Sequence, residues 1–307
     1  MKNTTATKRA FTAALTEFAT SLRDYVAGED GQWSVKGFID VYRNVFTVSS
    51  DTKIVSKILE IHIFPQLLAF AETNGYSIVL AEKQNWYPDL SFVNKANPKI
   101  KFAVDLKTSY RDPVFPGHVN GFTLGSHGAY FKERNSTKNI QFPYSDYSGH
   151  YCLGVIYTRI LSEELDETRA YAVKELGHID EGAPYVGPEI LVPSLRSITS
   201  VVRDFEFFVC EKWQIASDRQ GSGNTANIGA ITWIEDIRLC RGVFSTLGEK
   251  WFDEYWMNHG SATMLRDGKP IPIKKLCDFM DFKGADKSRI VPVRTKTKPR
   301  KTKPQCE

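Results

Sequence analysis

Helices interspersed with strands, in an order without internal repeats, predict an α/β fold: a mixed β-sheet flanked by helices. Three observations carry that expectation. Residues 9–26 place Phe11, Leu15, Phe18, Leu22 and Tyr25 on one helical stripe. The stretch "KFAVDLKTSY", residues 101–110, alternates Phe102, Val104 and Leu106 as a half-buried strand does. The apolar run "YCLGVIYTRI", within residues 145–160, reads as a further, buried strand.

Taken in order, the first helix ends near Gly28, and "QWSVKGFIDVYRNVFTV" alternates as a hairpin. "SSDTKIVSKILEIHIFPQLLAFAETNG" reads as a helix capped by Ser50 or Asp51 and stopped at Asn74-Gly75. Pro65 is expected to kink or divide it. Strands follow at 76–80, 90–93 and 100–109, and later at 207–216 and 227–234, flanking "DRQGSGNTAN". "EKWFDEYWMNHG" reads as a short aromatic helix. The expected organisation is therefore an N-terminal helix and hairpin over 1–50, a core over 51–160 and a charged, Pro/Gly-punctuated insertion over 161–205. A C-terminal part over 206–286 and a basic disordered tail over 287–307 complete it.

The 307 residues suffice for one large domain or two small ones. A net charge of +4 hides an uneven distribution: residues 287–307 carry +7 and the remainder −3. Such a tail solubilises, and it is also attracted to polyanions such as DNA. No apolar run approaches the roughly 18 residues of a transmembrane helix, and the polar N-terminus, interrupted by Glu17, does not read as a signal peptide. No membrane partner is expected. The five cysteines are scattered without a C-x-x-C pair, which favours reduced thiols in a cytoplasm and argues against a structural zinc site. The six histidines show no metal-binding spacing.

Chemistry concentrates around the 101–110 strand. Asp105 and Lys107 are two residues apart, so a carboxylate and an ammonium project from the same sheet face. Asp89, directly after Pro88, precedes Asp105 by 16 residues, the spacing of a strand, a turn and a return strand. That hairpin brings two carboxylates together. Oxygen-only ligands of this kind suit Mg²⁺ completed by a substrate phosphate, and Lys107 adds a compact positive charge. Glu60, bordering an apolar helix face, offers a third carboxylate. These are parts for hydrolysing a phosphodiester. A solvated D-x-K ion pair and an ordinary Pro-Asp turn would give the same text at lower function.

"YPD", fifteen residues and then "DLK" resembles the signature of the PD-(D/E)XK nucleases. The wider text "SDTKIVSKILE", "QNWYPDLSF", "FAVDLKTSY", "FTLGSHGAYFKERNSTKNI" and "GSGNTANIG" resembles, in the same order, the EcoRV family of type II restriction endonucleases. The resemblance covers residues 48–160 and 211–258. It implies a restriction-endonuclease-like core with a DNA-reading subdomain, in which Asp89 and Asp105 ligate the metal, Lys107 is the catalytic lysine and Glu60 is an accessory acid and metal ligand. It further implies that Thr108, Lys138 and Lys53 lie near the DNA, and that Gln84 and Asn85 belong to a minor-groove loop in which Trp86 stands where the family has histidine.

"GSGNTANIG", residues 221–229, lacks the ending of a nucleotide-binding P-loop and joins two strands, so no nucleotide cofactor is expected. Its composition suits a plain flexible connection. It also suits DNA: Gly221 and Gly223 admit close backbone approach, Asn224 can pair bidentately with adenine, and Thr225 can touch a thymine methyl. The resemblance makes this loop, with Ser222 and Asn227, the reader of bases in the major groove, departing from the family at Ala226. The expected whole is a Mg²⁺-dependent homodimer acting on double-stranded DNA at a short palindrome, GATATC, cut centrally to blunt ends, with residues 9–48 contributing to the dimer. The alternatives are a repair or structure-specific nuclease sharing the catalytic hairpin, and a catalytically silent DNA-binding protein.

Overall fold

A computed structural model of the chain describes residues 2–83, 85–160, 170–172, 198–221, 226–266 and 268–296. It forms two compact units, Met1–Tyr110 with Asp146–Val209 and Arg111–Ser145 with Cys210–Glu307. Each is discontinuous in sequence, where the sequence reading drew consecutive segments. Most of the 161–205 insertion lies outside the described residues.

The first unit contains α1 (Lys2–Val26), β1 (Gly37–Ile39), β2 (Asn44–Thr47), α2 (Thr52–Thr73), β3 (Tyr76–Leu80), β4 (Leu90–Asn94), β5 (Lys101–Tyr110), β7 (Tyr147–Arg159), β8 (Ala170–Ala172) and all but the last two residues of β9 (Val202–Glu211). Its main sheet has the order β3-β4-β5-β7-β9, antiparallel from β3 to β5 and parallel between β5 and β7. A mixed sheet with flanking helices is the architecture the sequence predicts. A smaller sheet, β1-β2-β8, holds the expected hairpin.

One core joins the helices to the sheet. Phe11, Leu15, Ala19, Leu22 and Val26 of α1 and Val55, Leu59, Ile63 and Leu67 of α2 pack with Phe92, Phe102, Val104, Leu153 and Val155 of the strands. Phe11 stacks on Phe102 at 4.1 Å between ring centroids. A buried side chain of this size contributes roughly 1.5–3 kcal/mol by leaving water. Because strand side chains alternate, committing Phe102, Val104 and Leu106 to this core turns Asp105 and Lys107 to the opposite face.

Helix α2 begins where expected, with the Asp51 carboxylate accepting from the N–H groups of Lys53 and Ile54, and gives way at Asn74 to Gly75 at φ +74°. It is not divided at Pro65. Pro65 and Ile61 are both exposed, so the carbonyl left without an N–H partner faces water. By length and composition α2 does meet the requirement for crossing a membrane, contrary to the expectation that no run approaches it. Its apolar stripe is instead part of the protein core.

The second unit contains β6 (Thr123–Ser126), α3 (Ala129–Lys132), β10 (Ala216–Gln220), β11 (Asn227–Ala230), α4 (Ile234–Arg238), α5 (Glu249–Asn258), β12 (Thr263–Arg266), β13 (Lys269–Pro272) and α6 (Leu276–Phe282). Strands pair in the order β10-β11-β6, with β12-β13 as a separate hairpin. The aromatic helix α5 buries Phe252, Tyr255 and Trp256. The single strand expected over 207–216 is two. β9 ends at Glu211, where the sequence E-K-W-Q closes a capping box with Gln214 around a 3₁₀ turn, and β10 starts afterwards.

Two further expectations are corrected in this unit. Cys210 and Cys240 form a disulfide with Cα atoms 5.6 Å apart, so the cysteines are not all reduced. Thirty residues of sequence separation gave no local sign of the pair. The basic tail is structured as far as residue 296. Lys287–Arg289 form a 3₁₀ turn, the Arg294 guanidinium lies over the Trp233 ring at 4.4 Å, and Lys296 Nζ is 2.6 Å from Asp112 Oδ2. Residues 297–307 lie outside the described residues.

Candidate active site

The antiparallel register of β4 on β5 sets Leu90 opposite Val104, which carries Asp89 to the level of Asp105. The turn between the strands is built by Asn94, whose side-chain carbonyl accepts from the N–H groups of Ala96 and Asn97. The hairpin inferred from a 16-residue spacing therefore exists, and it brings the three residues together. The Asp89 N–H points to Asp105 Oδ1 at 3.4 Å, and the Leu106 N–H donates to Asp89 Oδ2 at 2.8 Å. Lys107 Nζ lies 2.6 Å from Asp105 Oδ2 and 3.8 Å from Asp89 Oδ2.

Electrostatics set the charge state of this cluster. Burial alone would lower the Lys107 pKa, but the Asp105 and Asp89 carboxylates outweigh it and hold the ammonium charged. Burial, and then repulsion from Asp105, push Asp89 up to about 7, with Glu60 adding a smaller push the same way. Two carboxylates beside the same lysine, one of them hard to ionise, fit a hard divalent cation, whose charge relieves the repulsion. Cys152 lies opposite Asp105 in the parallel register, and burial raises its thiol pKa. It was not singled out in the sequence, because the partner of a parallel strand has no local signature.

Glu60 lines a cleft of about 330 Å³ that also holds Lys57, Phe64, Trp86, Asp89 and Leu106. Its nearest charge is Lys57, one turn earlier, with which it forms an ion pair. Among the described residues no group of three His, Cys, Asp or Glu side chains is gathered closely enough to hold a metal, so Glu60 does not complete a three-carboxylate set with Asp89 and Asp105. The i, i+3 spacing of Lys57 and Glu60 was the sequence signal for that pairing.

The other residues singled out by sequence fall on several elements of the two units or outside the described residues. Lys53 and Asn85 are exposed, Thr108 is half-buried, and alternation along β5 turns Thr108 to the face opposite Lys107. In the second unit Lys138 is exposed, and Asn227 sits on β11 with its carbonyl accepting from the Gly221 N–H at 2.9 Å. Gln84, Ser222, Gly223, Asn224 and Thr225 lie outside the described residues. Gly221 has a reason beyond close approach to bases: a Cβ there would lie 2.3 Å from Thr123 Cγ2 of β6. Gly229 is equally constrained, since its Cβ would meet the Arg219 carbonyl oxygen at 2.6 Å.

A stability consequence follows from Asp89. Its folded-state pKa of about 7 stands above the ordinary 3.8, so this group favours the fold at low pH and loses that contribution as pH rises through 7. In chelator at pH 8, Asp89→Asn is therefore expected to melt above the wild type. The side chain is 37% exposed, so screening limits the gain to about 1 kcal/mol. The difference should vanish at pH 4; thermal unfolding at both pH values checks it. An equal or lower melting temperature for the variant at pH 8 would refute the charge assignment.

Comparisons with known proteins identify the family. The family profile described as "Restriction endonuclease EcoRV" matches residues 29–186 and 188–284. The "Type II restriction enzyme EcoRV" of Escherichia coli is 32% identical over 242 residues, covering 78% of this chain and 88% of that protein. Both matched regions of the profile span the Asp89–Asp105–Lys107 cluster or the 221–229 loop. Members of this family are site-specific deoxyribonucleases that bind double-stranded DNA and generally depend on divalent metals. The chain belongs to the EcoRV family of type II restriction endonucleases.

Proposed function

We propose that this endonuclease is a Mg²⁺-dependent homodimer that recognises GATATC and cuts it centrally, leaving blunt ends. The observation that carries the chemistry is the Asp89, Asp105 and Lys107 cluster on one sheet face. Asp89 and Asp105 hold the cation. Bound there, Mg²⁺ supplies neutralisation of phosphate charge and a more acidic water. Lys107, kept charged by its neighbours, holds a phosphate oxygen and stabilises charge developing at phosphorus. Glu60, which lines the same cleft as Asp89, is the accessory acid.

For base reading we assign Gly221, Ser222, Gly223, Asn224, Thr225 and Asn227 to the major groove, with Lys53, Gln84, Asn85, Thr108 and Lys138 nearer the backbone or minor groove. Support comes from the near identity of 221–229 to the family's reading loop. The homodimer is supported by the symmetry of a palindromic target and by the β1–β2 hairpin. There Phe38, Ile39, Val41, Tyr42 and Phe46 are exposed, with Val41 at 90%. An apolar group of that kind suits burial against a second copy. We assign the enzyme to the cytoplasm, where a nuclease acting on cellular DNA would meet its substrate.

One digest tests the reading. Plasmid DNA incubated with the protein and Mg²⁺ should give discrete blunt-ended fragments whose termini map to GATATC. Fragments ending at another sequence would overturn the specificity alone. General degradation would favour a structure-specific nuclease, and intact plasmid would remove the catalytic assignment.

A further inference from the structure

The residues two before and two after Asp89 are both tied to β7, across the intervening strand β5. Tyr87 Oη and His150 Nδ1 are 3.0 Å apart, and Ser91 Oγ and Tyr147 Oη are 2.7 Å apart. All four side chains are buried, Tyr87 at 5%, Ser91 at 0%, Tyr147 at 7% and His150 at 4% exposure. The ladder sets Ser91 opposite Ala103 and Ala103 opposite His150, so these three form a row beneath the level of Asp105 and Cys152. Ala103, the smallest of the row, leaves space in which the rings meet. Tyr87 stacks on His150 at 5.8 Å, and Tyr147 lies 5.4 Å from the same imidazole.

This arrangement matters because Asp89 stands outside the regular strand. It follows the 81–86 segment, whose described residues are exposed or half-buried, and immediately precedes β4. Tyr87 is where that segment docks. A backbone that left its place at Tyr87 would carry Asp89 with it, away from the Leu106 N–H and from Asp105. A carboxylate pair can hold a cation only while both members keep their separation, and groups that orient ligands tune affinity without touching the metal.

We propose that the Tyr87–His150 and Ser91–Tyr147 pairs form a two-point clamp that positions Asp89 for the metal, with Tyr87 and His150 as its principal members. They are positioning residues: neither reaches the reacting atoms. The proposal rests on the metal-site reading above. Buried tyrosine hydroxyls find partners in any core, so the test must separate positioning from folding.

The experiment titrates Mn²⁺, followed by electron paramagnetic resonance, into the full-length protein with a duplex carrying whichever site the plasmid digest maps. Wild type, Tyr87→Phe, His150→Phe, His150→Asn and Asp89→Asn are compared, each with its melting temperature. Tyr87→Phe removes one oxygen and keeps the ring, so its melting temperature should stay within a few degrees of wild type. Its Mn²⁺ affinity should fall about tenfold, the lower end of what outer groups of metal sites contribute. The Mg²⁺ concentration for half-maximal cleavage should rise by a similar factor, with duplex affinity in Ca²⁺ unchanged. His150→Asn, which can still meet the Tyr87 hydroxyl, should bind Mn²⁺ better than His150→Phe. If Asp89→Asn weakens Mn²⁺ binding while Tyr87→Phe and both His150 variants match wild type, the clamp is refuted and the metal site stands. If Asp89→Asn also matches wild type, the metal-site reading fails and the clamp fails with it.

Discussion

Lys107→Ala and Asp105→Ala should each reduce cleavage by roughly 10³-fold or more, several kcal/mol of transition-state stabilisation, while leaving a folded protein that still binds DNA. The two act by different losses. Without Lys107, nothing in the cluster opposes the charge of Asp89 and Asp105 or meets the phosphate. Without Asp105, the proposed cation would lose one of its two carboxylates, and Lys107, then 3.8 Å from its remaining acid, would lose its closest partner. Their side chains lie on the face away from the aromatic core, so Phe11, Phe92 and Phe102 keep their packing and the fold should survive. Single-turnover rates on plasmid, with circular dichroism and Ca²⁺-supported DNA binding as controls, check both. Near-normal turnover by either folded variant would overturn the catalytic assignment.

The sequence disclosed most where a periodicity met a fixed local geometry. The alternation of Phe102, Val104 and Leu106 already implied that Asp105 and Lys107 share the other face, and the register of β4 on β5 delivers that. Asp51 as the cap of α2 and Gly75 beyond its end were equally local. What stayed hidden depends on pairing between distant segments. Nothing near Cys210 announces Cys240, and nothing near Asp105 announces Cys152 in the parallel strand. The Tyr87–His150 contact spans 63 residues and joins two residue types that are ordinary in a core. Glu60 lies on α2 beside an apolar face as its sequence context implied, and its ion pair with Lys57, one turn earlier, is the local contact that the reading passed over. The tail was misjudged because composition describes a free chain, whereas Arg294 and Lys296 find an indole face and a carboxylate.

Asn224→Ala should separate specific cleavage from general DNA affinity. The ends of its loop are fixed: the Gly221 N–H donates to the Asn227 carbonyl at 2.9 Å, and Gly221 and Gly229 hold the flanking strands at distances that a Cβ would not permit. Asn224 is assigned to base reading by the resemblance of 221–229 to the family's reading loop. One bidentate adenine pair is worth roughly 1–3 kcal/mol of discrimination. The proposed dimer on its proposed palindrome would use it twice, so roughly 2–6 kcal/mol is at stake, some 30-fold in rate at the lower end. Non-specific affinity comes from phosphate contacts with basic side chains, to which a neutral amide adds little. The variant should thus lose at least about 30-fold in cleavage of GATATC while its affinity for unrelated duplex, measured in Ca²⁺ at fixed salt, changes less than about twofold. Parallel losses on both substrates would mean that Asn224 supports the loop instead of reading a base. Undiminished cleavage of GATATC would assign the discrimination to other residues of the loop, and Thr225 and Asn227 would be the next to replace.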